Sequence, residues 1–277
     1  MKNLFLVLAM VFISGTCIKA QDTNEPIVLN VTYQLIHTNN LNDKENPLKK
    51  EMVLSLGKSS SMYISAETYK RIHTPPPVPM PGARVYVGRP VVMMDAAGPV
   101  INEQIYQYNA SNIMKLVTHL GGKSYLIETK QPKINWKTAN ETREIGGFTC
   151  QKATGDFGGR TYTVWFAPEL PFHSGPFKLS GLPGLILEAT DSKQEVQFLF
   201  KDINKETDAN EVVKIVGSLP VKITAAEYEK AKKAYITNPE SYMQGQLSAS
   251  APKVEKAYEK QADKLASTTF VHNPIEL

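Results

Sequence analysis

The sequence predicts a mainly β protein, a curved antiparallel sheet or half-open barrel with two C-terminal helices. Three observations carry that expectation. From Pro26 to about Ile203, short runs of β-branched and aromatic residues alternate with glycine, proline, asparagine and serine, the pattern of strands and turns. After Ser218 apolar residues fall instead at helical spacing. A chain of 277 residues that is 42% hydrophobic and 21% charged holds enough apolar side chain to bury a core.

The first element is a leader. MKNLFLVLAMVFISGTCIKA pairs Lys2 with an apolar run from Leu4 to Ile13 and ends in small and polar residues at Ala20, which predicts a secretory signal peptide over residues 1–20. Such a run is too short to cross a bilayer core of roughly 30 Å, and no later stretch is long and apolar enough, so no membrane span is expected. Export follows. Cys17 offers an alternative, lipid attachment, but Thr16 before it suits a lipoprotein signal poorly. Lys2 and Lys19 carry two of the net four positive charges, leaving +2 on the mature chain. That balance makes no electrostatic case for nucleic acid as a partner.

The expected domain spans residues 21–217. Its strands are Ile27–His37, Met52–Ile64, Ala83–Met94, Ile101–Gln107, Ile113–Val117, Ser124–Glu128, Phe148–Thr154, Arg160–Phe166, Leu185–Ala189 and Val196–Ile203. PPPVPMPG, from Pro75 to Gly82, lacks ladder donors at its prolines and reads as an extended loop within that domain. Gly122-Lys123-Ser124 resembles the end of a phosphate loop, but Val117 stands where the leading glycine is required, so a hairpin turn is expected there.

Residues 218–277 form the expected helical region, packed on the same domain. Thr224-Ala225-Ala226-Glu227 spells a capping box; Tyr228, Ala231 and Tyr235 then share a face, and Asn238-Pro239 stops the helix. PKVEKAYEKQADKLAS predicts a second helix with Val254, Tyr258, Ala262 and Leu265 on one stripe.

The region around residues 148–190 carries the candidate site. FTCQKATGDFGGRTYTVWF predicts a hairpin with Gly158-Gly159 at its tip, since that pair tolerates the positive φ of a two-residue turn. The register sets Lys152 opposite Trp165, Thr154 opposite Thr163 and Asp156 opposite Thr161 on one face. Ala153 with Val164, Gly155 with Tyr162 and Phe157 with Arg160 take the other, more apolar face. Lys152 against the Trp165 ring is the expected cation–π contact. The sharper alternative makes Lys152, Arg160, Trp165 and His173 a ligand-binding set, with the two cations on an anionic group. In Leu182-Pro183-Gly184-Leu185 proline and glycine suit a type II turn, and Leu185-Ile186-Leu187 opens a strand apolar on both faces, hence buried.

Gly181-Leu182-Pro183-Gly184-Leu185-Ile186 is the motif of the GLPGLI family of exported proteins from Gram-negative bacteria, which the chain resembles over most of residues 25–205. Trp136, the run Ile145 to Ala153, Gly159-Arg160, Trp165-Phe166 and Gly175-Pro176 add to the resemblance. It implies an exported, periplasmic bacterial protein and no particular reaction; the motif residues are expected to shape a turn.

No C-x-x-C, H-E-x-x-H, G-x-S-x-G or G-x-G-x-x-G occurs, and the five histidines are never spaced at two to four residues. The sequence names no catalytic residue, metal ligand or cofactor. Asn30, Asn109 and Asn140 head glycosylation sequons that read as ordinary turn residues in a bacterial protein. The first functional expectation is a non-enzymatic binding or carrier protein for an apolar ligand or a protein segment. The alternatives are a structural component of a cell-envelope complex, and a metal- or thiol-dependent site around Cys150 and His173 with a depressed thiol pKa. The lone Cys150 also reads as a small buried core residue.

Overall fold

Every second residue from Leu29 to Leu35 is apolar, and Leu29, Val31, Tyr33 and Leu35 are at most 3% exposed, so this strand presents one full face to the core. The computed structural model describes residues 24–74, 103–205, 207–208, 210–217, 219–238, 241–242, 245 and 273–276. The expected leader, Cys17, the Pro75 to Gly82 loop, the strand Ala83–Met94 and the helix from Pro252 to Ser267 lie outside them.

In chain order the elements are β1 (Glu25–Pro26), β2 (Leu29–His37), β3 (Leu48–Leu56), β4 (Ser60–Ser65), α1 (Ala66–His73), β5 (Gln104–Tyr108), β6 (Ile113–Leu120) and β7 (Lys123–Lys130). They continue with β8 (Lys137–Ile145), β9 (Phe148–Phe157), β10 (Arg160–Ala167), β11 (Leu185–Asp191), β12 (Val196–Asn204), β13 (Val212–Val213), β14 (Val221–Ile223) and α2 (Ala225–Thr237). The main sheet runs β14-β7-β6-β5-β4-β3-β2-β12-β11-β10-β9-β8, antiparallel except where β14 joins β7. Its two ends stay apart, so it is an open sheet and not a closed barrel. β1 and β13 make a separate two-stranded ladder.

One face carries the larger core. Leu54, Tyr63, Ile105, Tyr162, Val164, Leu187, Ala189 and Phe198 lie in it, together with Leu170, Phe177, Leu179 and Leu182 from the segment that joins β10 to β11. The other face holds Ile27, Met62, Ile64, Tyr106, Val117, Val213 and Val216, with Tyr69 of α1 packed against them. α2 adds Tyr228, Ala231 and Tyr235 to a third cluster with Leu120, Tyr125 and Ile127. Its capping box at Thr224 and Glu227 forms as the sequence spells it, and Asn238 caps its other end.

The β9–β10 hairpin matches its expected register from Phe157↔Arg160 through Lys152↔Trp165. Gly158 and Gly159 take φ of 56° and 74°, as do Gly121 and Gly122 (56° and 80°) in the β6–β7 turn. Three expectations are corrected. Met52–Ile64 is two strands, because residues 57–59 turn the chain and Gly57 N–H donates to Ser60 O at 2.8 Å. β8 was not expected, since KTANETREI exposes nearly every side chain and shows no apolar alternation; as an edge strand it has only one neighbour, and its charges discourage a second. α1 was also missed. It is eight residues capped by Ser65, and none of its side chains is buried.

Candidate functional site

The turn expected at Leu182–Leu185 takes a different form. Positive φ falls at Gly181, at 96°, and not at Gly184. Gly184 is needed for another reason: a Cβ there would meet the Ala167 carbonyl oxygen at 2.4 Å, so only glycine lets the chain pass so close to the end of β10. Type II geometry at Gly184 is thereby replaced by a backbone crossing. His173 Nδ1–H donates to Leu182 O at 2.9 Å, while Gly181 N–H donates to His173 O at 3.2 Å, and this reciprocal pair holds the corner. Trp136 Nε1–H adds a bond to Ser180 O at 2.8 Å.

The corner is fixed to the sheet from below as well. Tyr33 OH donates to Ile186 O at 2.7 Å, Leu185 N–H to Leu170 O at 3.0 Å, and Ile186 N–H to Ser174 O at 3.0 Å. Leu185, Ile186 and Leu187 are fully buried, as their pattern predicts. A bulge between Trp165 and Phe166 leaves Leu187 as the extra residue on β11 and adjusts how this run seats. Phe177 adopts φ of 58°, a strained value for a bulky residue, yet its ring is buried and stacks on Phe198 at 6.2 Å between centroids.

Arg160 is the most heavily engaged side chain of the expected set. Its neighbours on the apolar face of the β9–β10 hairpin force it inward, and it is 4% exposed. Nη1 donates to Asp191 Oδ2 at 2.7 Å and to Glu195 Oε2 at 3.0 Å. Nη2 donates to Asn273 Oδ1 at 2.6 Å and Pro274 O at 2.8 Å, and Nε to Ile275 O at 3.1 Å. A guanidinium has five N–H groups, and each has an acceptor. Asp191 is satisfied in turn by the backbone N–H groups of Glu195 and Val196 at 2.7 and 2.9 Å.

The acceptors on the far side are the C-terminal residues. Asn273 sends its side-chain amide to Thr38 O at 2.8 Å and its backbone N–H to Asn39 O at 2.9 Å, and His37 Nε2–H donates to Asn273 O at 2.7 Å. Ile275 is 1% exposed within the main core, and Glu276 meets Lys178 at 2.6 Å. Residues 273–276 are thus a short peptide, bent at Ile275, seated between the end of β2 and the tip of the β9–β10 hairpin. Burial disfavours a charged Glu195, but hydrogen bonds from Arg160 and Asn273 and the charges of Arg160 and Lys193 outweigh it and hold its carboxyl below the ordinary value.

Lys152, Trp165 and His173 stand elsewhere. Lys152 pairs with Glu141 at 2.9 Å, and the cation over Trp165 is Arg143, its Cζ 4.4 Å from the ring centroid. Arg143 also bridges to Glu188, which faces Trp165 across β10 and β11. The Lys152–Trp165 contact is therefore corrected: the strand that supplies Arg143 was the one the sequence pattern hid. Lys152 and Arg160 lie on opposite faces of the hairpin, so they do not meet one anion. Cys150 is fully buried, and desolvation first of all pushes its thiol up to about 11, against the depressed value a reactive site would need. No group of three or more metal-ligating side chains occurs among the described residues. Asp191, Glu195 and Asn273 were missed, because nothing in sequence links a C-terminal asparagine to a hairpin arginine.

A family model described as a protein of unknown function (Porph_ging) matches residues 159–188. That stretch runs from the hairpin tip through Arg160, His173 and the Gly181 to Ile186 corner. No curated protein sequence matches the chain. Among solved structures, PNGF-II in its P21 and C2 crystal forms is similar at TM-scores of 0.49 and 0.48, each with 14% identity over 73% of this chain and 32% of that one. The chain therefore spans about a third of the length of those structures.

Proposed function

We propose that the protein is exported to the periplasm and acts there as a non-enzymatic binding protein whose cargo is a polypeptide segment. The observation that carries this reading is Arg160, which devotes two of its N–H groups to the backbone carbonyls of Pro274 and Ile275. Contacts to main-chain oxygens recognise an extended chain irrespective of most of its side chains. Of the two cargo classes expected, an apolar small molecule is less well supported, because residues of the corner and Ile275 cover the apolar face of β10–β12. The leader-like residues 1–20 and the resemblance to exported proteins support the location.

A structural role in an envelope complex has its own support. Leu219, Val221 and Ile236 are 97%, 55% and 69% exposed, beside or on edge strand β14 and on α2. The test is native mass spectrometry of the full chain purified gently from its own export compartment, before and after mild denaturation. A peptide or protein that leaves on unfolding is the expected result. A bound lipid, or a bare mass across growth conditions, overturns the segment-binding reading.

A further inference from the structure

The face opposite Arg160 holds a cleft of about 300 Å³ between the last turn of α1, the ends of β5, β6 and β7, and residues 216–217. Val117, Val216 and Gln104 are its buried members, and Arg71, His119 and Ser124 its more open ones. The polar groups have a consistent character. Gln104 Oε1 already accepts from Tyr106 OH at 2.7 Å, which leaves its amide nitrogen as the end available to a ligand. His73, two residues after Arg71, is taken by Glu211 at 3.1 Å, but no carboxylate among the described residues pairs with Arg71. Among the described residues no acidic side chain lines the cleft.

We propose that this cleft is a binding site for a small organic carboxylate with a short apolar body. The guanidinium of Arg71 and the Nε2 donors of Gln104 take the carboxylate, and Val117, Val216 and Ile72 take the apolar part. A cleft of this size that sets polar donors beside one apolar wall, here Val117, Val216 and Ile72, can hold a small molecule. An arginine is suited to planar, two-toothed recognition of a carboxylate, and an inorganic phosphate would leave the Val117, Val216 and Ile72 wall without a partner. His119 reports on the charge balance. Its burial first, then the charge of Arg71, pushes the imidazole below its ordinary value, so Arg71 is felt at the ring with no anion between them. A bound carboxylate would reverse that push.

The test follows the His119 ring protons by NMR in the full chain, titrated with butyrate and, separately, with inorganic phosphate. Expected are saturable shifts with butyrate, a rise in the His119 pKa on binding, and affinity weakened about tenfold or more in Arg71→Gln. Arg71 sits on an exposed helix face, and in that variant without ligand the His119 pKa should rise, which also shows the site is intact. Absence of saturable shifts with butyrate, equal affinity in Arg71→Gln, or saturation by phosphate alone would overturn the proposal.

Discussion

Arg160 Nη1 donates to Asp191 Oδ2 at 2.7 Å, with the two side chains 2% and 1% exposed. Two charges at that burial are stable because the five guanidinium donors and both Asp191 carboxylate oxygens are matched, and three of the five acceptors come from residues 273–275. The pair therefore couples the hairpin, the β11–β12 turn and the C-terminus into one unit.

Replacing Arg160 with alanine leaves Asp191 buried without its cation, and breaking such a pair costs about 3–5 kcal/mol. Urea denaturation should show that loss. Arg160→Lys keeps the charge but cannot reach five acceptors, so it should recover only part of it. Limited proteolysis should cut the region before Asn273 faster in both variants. Equal protection of the C-terminus in wild type and Arg160→Ala would show that the arginine does not hold it.

Acid should loosen the same centre. The Glu195 carboxyl is held below the ordinary 4.5 in the folded protein. An acid with a depressed folded pKa contributes stability above its unfolded pKa and loses it as pH falls through the folded one. The contribution is therefore intact at neutral pH and is lost only below about 4.5. Glu195→Gln should flatten that acid limb of the stability curve, read from denaturant midpoints.

The two motif glycines should respond differently to alanine. At Gly184 the new Cβ would lie 2.4 Å from the Ala167 oxygen, so backbone must move, at a cost of about 3 kcal/mol or more, the upper end for overpacking. At Gly181 nothing lies closer than 4.0 Å, and the cost is only the strain of a side chain at φ of 96°, about 1–3 kcal/mol. Thermal or urea unfolding of the two variants distinguishes them, and a larger loss at Gly181 would contradict the crossing.

Sequence logic reached the hairpin because local rules govern it: a glycine pair sets the turn, and alternation sets which face Arg160 and Lys152 take. It reached α2 through its capping box for the same reason. It failed at the corner, where Leu-Pro-Gly-Leu satisfies a turn rule and yet Gly184 answers to Ala167, a residue seventeen positions earlier whose proximity is tertiary. β8 failed because an exposed edge carries no apolar pattern, although Gly146-Gly147 at φ of 59° and 83° marked its turn. The partners of Arg160 were illegible, since Asn273 is remote in sequence and asparagine has many other uses.

Cys150 should behave as an inert core residue. Its thiol is fully buried and pushed up to about 11, so at about pH 8 only about one molecule in a thousand carries the thiolate. A disulfide reagent should react with the native protein only at the rate of local opening, and rapidly in urea. Fast native labelling would overturn the packing.

Glu103 should give the opposite pH signature to Glu195. Desolvation raises its carboxyl to about 7, with Lys178 and Lys232 opposing and Glu276 and Glu229 adding to the rise. The folded protein then holds a proton that the unfolded chain releases near 4.5. Stability from this group is complete below 4.5 and is lost as pH rises through about 7. Glutamine mimics the protonated form, so Glu103→Gln should match wild type at about pH 4 and exceed it at about pH 8 by about 1–2 kcal/mol. Two windows separate the two carboxylates: loss of the Glu195 contribution lies on the acid side of 4.5, loss of the Glu103 contribution between 4.5 and about 7. Denaturant midpoints across that range, in the wild type and both glutamine variants, should resolve them. A Glu103→Gln curve parallel to wild type would place the carboxyl in solvent.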